Sequence, residues 1–285
     1  MNSSITAAAN GDAALDGLPL ARTAPLQYVL RLADNALILG QCNAEWCGHG
    51  PALEEDIALT NISLDLIGQA RLLYSHAGVL EGQLTGRTRH EDDYAYWRAE
   101  REFHNWTLLE LPHHGPLAGT ARADRDYAIT IMRNFLFGAL MVELWPALER
   151  SRDTELAAIA AKSVKEARYH LHHAAGWVVR LGDGTETSHL RMQRALEHLM
   201  PYMNECFAAD PIEREAAEQG IGVLTADLRD AWDATVRATL EEATLRLPAE
   251  SAFLSTGKQG VHSEHMGYLL AEMQGLARAH PGAQW

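Results

Sequence analysis

From residue 25 to residue 280 the apolar residues recur at three- and four-residue steps, and convincing two-residue strand alternation appears nowhere. That single feature restricts the chain to helices packed on helices. The first segment, 25–47, carries Leu30, Leu37 and Gln41 on one face. Gly48-His49-Gly50-Pro51 breaks it. Residues 52–81 form a second helical pattern, opened by Glu54, Glu55 and Asp56, acids that suit a helix N-terminus. A helix of that length spans about 45 Å. A short loop between two such helices makes them antiparallel neighbours.

Residues 82–90 read as loop, and 92–110 as a shorter helix rich in Tyr94, Tyr96, Trp97, Phe103 and Trp106. The stretch 112–119 breaks that helix. Residues 122–150 are helical again, with Pro146 expected to kink or shorten the end. Residues 153–181 give a fourth long helix, stopped by Gly182-Asp183-Gly184. Further helices are expected at 186–208, 225–247 and 264–280. The fold class is therefore all-α: a four-helix bundle with additional helices, in one domain from 25 to 285. Residues 1–24, rich in Ala, Asn, Gly and Asp, read as a flexible N-terminal tail.

Composition bounds the function. The formal charge is −14, which argues against nucleic acid or an anionic membrane as the main partner. No apolar run reaches the roughly 18 residues of a membrane span, and the first 24 residues lack the pattern of a secretory signal. Three cysteines, Cys42, Cys47 and Cys206, suit a reducing cytosol and read as small buried residues. The expected location is the cytoplasm.

A long four-helix bundle can hold two metal ions, given a Glu from each of two helices and a Glu-x-x-His from each of the other two. The candidate acids here are Asp34 on the first helix, Asp65 on the second, Glu143 on the third and Glu166 on the fourth. Three residues after Asp65 stands Gly68, and three after Glu166 stands Tyr169; His170 is one position late. Both Glu-x-x-His motifs thus lack their imidazole. A rival set, Glu166, His170 and His173, shares one helix face and could chelate a divalent ion; a His-rich surface stripe binding only adventitious metal is the simpler reading. His104, His113 and His114 read as loop and surface residues. Trp145 and Leu148, and Met266, Leu269 and Met273, read as core or partner-facing surface. No serine, cysteine or histidine falls in a nucleophile signature.

The stretches Glu45-Trp46-Cys47-Gly48-His49, Asn61 to Arg71, Ile159 to His170, Arg180 to Thr185, Gly257-Lys258 with Gly260, His262 to Gly267, Leu270 to Gln274 and Pro281 to Trp285 resemble the family of structural, non-catalytic subunits of bacterial ring 1,2-phenylacetyl-CoA epoxidases. The resemblance runs from about residue 25 to the end. It implies a ferritin-like fold and a structural part in a multicomponent monooxygenase of aerobic phenylacetate catabolism. It also implies a hetero-oligomer with a homologous di-iron catalytic subunit, a reductase and small accessory subunits. It transfers no catalytic, cofactor-binding or metal-binding residue to this chain, so the expected number of each is none. An autonomous ferritin-like di-metal oxygenase or metal-binding protein is the alternative. Two structural expectations follow. Lys162, four residues before Glu166, should occupy the old metal region and contact Glu166 or Asp65. Met266, Leu269, Leu270, Met273 and Trp285 should anchor the partner.

Overall fold

The computed structural model describes residues 23–114 and 125–283. Pro25 sits in the first turn of α1 (Ala24–Ala44), where its missing N–H costs nothing. The acids Glu54, Glu55 and Asp56 lie in the first turn of α2 (Leu53–Thr85), and Gly86, at φ +72°, ends that helix in the left-handed region. Then come α3 (Glu91–Tyr96), a single 3₁₀ turn at Glu100–Glu102, and α4 (Thr107–Glu110). Asp126 caps α5 (Tyr127–Leu148), accepting from the Ala128 N–H, and Asp153 caps α6 (Thr154–Gly182), accepting from Glu155 and Leu156. The remainder comprises α7 (Glu186–Leu199), α8 (Met203–Phe207), α9 (Pro211–Glu218), α10 (Arg229–Glu242) and α11 (Glu264–Ala279), joined by short 3₁₀ turns. No strand occurs among the described residues.

Two hairpins make the bundle: α1 lies along α2, and α5 along α6, while α2 and α6 meet to close it. The shorter helices cover three sides. α7 and α10 pack on α5 and α6, α9 on α1, and α11 reaches α1, α3 and α4. α5 is buried on every side, by residues such as Ile131, Met132, Phe135, Leu136, Leu140 and Leu144. It is long and apolar enough to cross a membrane by length and composition, and its burial among the other helices accounts for that composition.

The long helices stand close to their expected bounds, with differences at the connections. The single helix expected at 92–110 is three pieces, because the chain between them is held by α1: the N–H of His104 donates to Asp34 (2.8 Å) and that of Trp106 to Asn35 (2.8 Å). α2 extends into the expected loop, to Thr85. Pro146 lies in the last turn of α5, which stops at Leu148. The helix expected at 186–208 is interrupted at Met200–Tyr202, around Pro201. The 225–247 helix stops at Glu242, shortly before Thr244, at φ +58°. α9 was not expected, although Asp210-Pro211 followed by Glu213 is a capping box with proline at its start. The expected tail lies outside the described residues apart from Thr23 and Ala24, and Ala24 is already helical.

Candidate functional site

The four long helices converge around Leu39, Leu66, Gln69, Asn134, Gly138 and His170, where a residual cavity of about 10 Å³ remains. That is room for about one water, whereas a two-metal centre needs ions about 3.5–4 Å apart with bridging oxygens. The space is filled by Phe137, Met141, Trp145 and Ala167.

The candidate carboxylates do not converge on it. Asp34 is fully buried and accepts from the Tyr74 hydroxyl (2.6 Å), the His104 N–H and the guanidinium of Arg98, itself fully buried. Glu143 is half-buried and does not line the cavity. Asp65 and Glu166 lie on the seam between α2 and α6. The Asp65 side chain, 38% exposed, pairs with His170 at 3.0 Å, and Glu166 accepts from the Gln69 amide at 2.8 Å.

The same seam holds two further pairs. Glu55 accepts from the Tyr127 hydroxyl (2.6 Å) and meets His173 (2.9 Å). His76 meets Asp153 at 2.6 Å. Burial pushes the Asp153 carboxyl up, but its contact with His76 and the bonds it accepts from the Leu156 and Glu155 N–H groups more than offset this, holding it below the ordinary range. These pairs tie the two hairpins together. Glu166, His170 and His173 therefore do not act as one ligand set, since each faces a different partner on α2. Among the described residues no group of three or more His, Cys, Asp or Glu side chains is arranged to hold a metal.

Three expectations need correction. Lys162 is exposed and does not enter the bundle; Gln69 and His170 satisfy the carboxylates in its place. His170, expected in a partly exposed His-rich stripe, is buried and faces inward, while Tyr169, at the position a ligand His would take, is 48% exposed. Met266 and Leu270 are buried, and Leu269 and Met273 pack on the core, so this stripe serves the fold; the exposed apolar residues of α11 are Tyr268 and Leu276. Trp285 lies outside the described residues.

The histidines and cysteines also sort differently. His113 is buried, between the Thr130 hydroxyl (2.6 Å) and the Cys42 carbonyl (2.7 Å). Burial and the neighbouring Arg133 hold it well below the usual histidine range, hence neutral. His104 is half-buried against the Lys258 carbonyl, and His114 stacks edge-on near His265. Cys42 and Cys206 are buried, whereas Cys47 is exposed. Burial pushes the Cys42 thiol up to about 12, which removes it as a nucleophile. Trp145 and Leu148 are core. A groove of about 660 Å³ lies away from the bundle centre, between α10 and the loop 247–254, with Arg229, Arg237 and Phe253 on its walls.

A catalytic site of this fold would need open coordination positions over converging donors. The chain has instead a packed centre and donors committed pairwise. Comparison with known proteins gives that geometry its context. Residues 12–285 match the family model described as "Phenylacetic acid catabolic protein". Over 258 residues the chain is 47% identical to the C subunit of 1,2-phenylacetyl-CoA epoxidase from Escherichia coli (strain K12), a match covering 90% of this chain and 98% of that protein.

Proposed function

The chain belongs to the phenylacetic acid catabolic protein family, and from that premise we propose that it is the structural subunit of a phenylacetyl-CoA 1,2-epoxidase. In this reading it stabilises a homologous catalytic subunit, which carries the di-iron centre. The full system adds a reductase and small accessory subunits, in a cytoplasmic hetero-oligomer without nucleic acid or membrane. The reaction, insertion of one oxygen atom across the ring 1,2-bond of phenylacetyl-CoA, belongs to the partner.

The observation that carries this reading is the bundle centre. Its cavity of about 10 Å³ is lined mainly by apolar side chains, and its nearest carboxylates are bound to Gln69 and His170. The residues present do not fit a di-iron group. The extent of the match to a named epoxidase subunit supports the same assignment.

The test is metal content and turnover. The chain is purified alone, and again after co-expression with its catalytic partner. Sub-stoichiometric iron and no epoxidation from the isolated chain, with both restored in the complex, are expected. Two irons per isolated chain with turnover of phenylacetyl-CoA would replace this reading by that of an autonomous oxygenase.

A further inference from the structure

The shorter helices leave one broad face uncovered: the outer surface of α2 and α6. On α2 that surface exposes Leu53 (73%), Ile57 (52%) and Leu64 (62%). On α6 it exposes Tyr169, whose ring lies beside His170 and His173. Because those two histidines bond Asp65 and Glu55 of α2, Tyr169 flanks the seam from one side and Leu64 from the other.

The charge of this face is opposite to that of the chain. Between Ile57 and Leu84 the one exposed charged residue is Arg71, and between Ala158 and Arg180 the exposed charged residues are Lys162, Lys165, Arg168 and Arg180. Five cations thus stand along this stretch, Arg71 among them beside Glu91 at 3.9 Å, with exposed acids only at its ends, Glu54 and Glu155, in a chain of net charge −14. Asp65 and Glu166, half-buried, are turned onto His170 and Gln69.

Two glycines add an independent observation. A mid-helix glycine costs about 1 kcal/mol against alanine, so it calls for a reason. Gly78 has one within the chain, since an added Cβ would lie 2.1 Å from the Arg89 carbonyl oxygen, and so does Gly82, whose Cβ would lie 2.7 Å from the Thr88 hydroxyl oxygen. Gly68 on α2 and Gly176 on α6 have none, since an added Cβ would meet nothing within 4 Å. Gly275 on α11 is open in the same way, but α11 exposes Glu264 and Glu272 rather than a run of cations.

We propose that the outer α2/α6 face is the docking surface for the catalytic subunit, which meets it with a helical face bearing carboxylates opposite Lys162, Lys165 and Arg168. This rests on the structural-subunit reading above. The apolar residues along the seam form the contact centre, and the cations select and steer the partner. Gly68 and Gly176 let a partner helix approach the backbone. A second copy of this chain is the wrong occupant, because self-pairing would set the same cations against each other.

The chain has only three lysines, and the third, Lys258, is buried. An amine-acetylating reagent, N-hydroxysuccinimidyl acetate, therefore reads this face directly. In the isolated chain Lys162 and Lys165 should acetylate rapidly and Lys258 slowly. In the complex with the catalytic subunit both should slow at least tenfold, with Lys258 unchanged. Leu64→Glu and Lys165→Glu should each melt as wild type when isolated, and bind the catalytic subunit at least tenfold more weakly. Unchanged acetylation in an intact complex, or affinities within twofold of wild type, would overturn the face while leaving the subunit assignment standing. Protection of both lysines by self-association of the isolated chain would assign the face to a second copy and overturn the proposal. Failure of the wild-type chain to assemble with any epoxidase subunit would overturn both.

Discussion

Replacing Arg98 with methionine tests what holds the first hairpin to the segment after it. Arg98 and Asp34 are both fully buried. The guanidinium also donates to the carbonyls of Tyr94 (2.7 Å) and Glu102 (2.9 Å) and lies 4.0 Å over the Phe103 ring. It therefore fixes the non-helical passage that joins α3 to α4. Methionine keeps most of the volume and removes every donor. Asp34 retains Tyr74 and the His104 N–H, but its charge is left buried without a counter-ion. Breaking such a pair from one side costs about 3–5 kcal/mol. At roughly 2–4 °C per kcal/mol for a chain near this size, the melting temperature should fall by about 6–20 °C, read by circular dichroism at pH 7. Arg98→Met with Asp34→Asn removes the stranded charge and should recover at least about 1 kcal/mol of that loss. Arg71→Met, at an exposed pair 3.9 Å from Glu91, should stay within about 0.5 kcal/mol of wild type. A loss below about 1 kcal/mol for Arg98→Met, or strict additivity in the double variant, would refute the reasoning.

Three further outcomes are expected. Burial pushes His262 down, but Glu110, at 2.7 Å, more than offsets this and raises its pKa; its stabilisation is full below about pH 6.5 and is lost as pH rises through the folded value. The stability gap between wild type and His262→Gln, from urea titrations, should therefore narrow on going alkaline; a constant gap would count against the pair. Asp153, lowered in the folded state, works in the opposite sense. Asp153→Ala should cost about 0.5–2 kcal/mol near neutrality as a lost helix cap, and the difference should shrink as pH falls through the folded value, below about 3.9. Gly78→Ala should destabilise, because its Cβ meets the Arg89 carbonyl oxygen, whereas Gly68→Ala should stabilise the isolated chain by about 1 kcal/mol; melting curves with the same sign for both would contradict the assigned environments.

The long helices were legible because their signals are local, such as acids at the start of α2 and a Gly-Asp-Gly stop closing α6, whereas α2 runs four residues past its expected end, to Thr85. α9 was missed, although its capping box is a local signal of the same kind. The piece between α3 and α4 was not legible, since helical propensity there is overridden by hydrogen bonds to Asp34 and Asn35, about 70 residues earlier in the chain. The missing imidazoles could be read from spacing alone. What stands in their place could not. Lys162 was the natural candidate, being a cation one turn from Glu166, but its face of α6 points outward. Gln69 and His170 are each one position beyond the motif residues, and that one step, about 100° around a helix, separates the core from the surface. His76 and His173 were open to the same reading. Each lies on an inward turn, and its acid sits on the opposing helix, so no pattern within one segment reveals the pair.

That rotation leads to a last expectation. If this chain were a metal centre that had merely lost its ligands, returning them should restore the site. Gly68→His with Tyr169→His rebuilds both motif positions in sequence. In the structure, however, a Cβ on Gly68 faces open space and Tyr169 is 48% exposed. The new imidazoles would therefore stand on the outer face, while Asp65 and Glu166 stay with His170 and Gln69. Opening the centre would also require displacing Phe137, Met141 and Trp145 from around a cavity of about 10 Å³, and truncating large core side chains costs about 2–5 kcal/mol each. The double variant, loaded anaerobically with Fe(II) and desalted, should hold no more than surface-bound iron, removed by a mild chelator. Two chelator-resistant irons per chain, with the absorption of an oxygen-bridged pair after exposure to air, would show that the centre can still open and that packing is not what closed it.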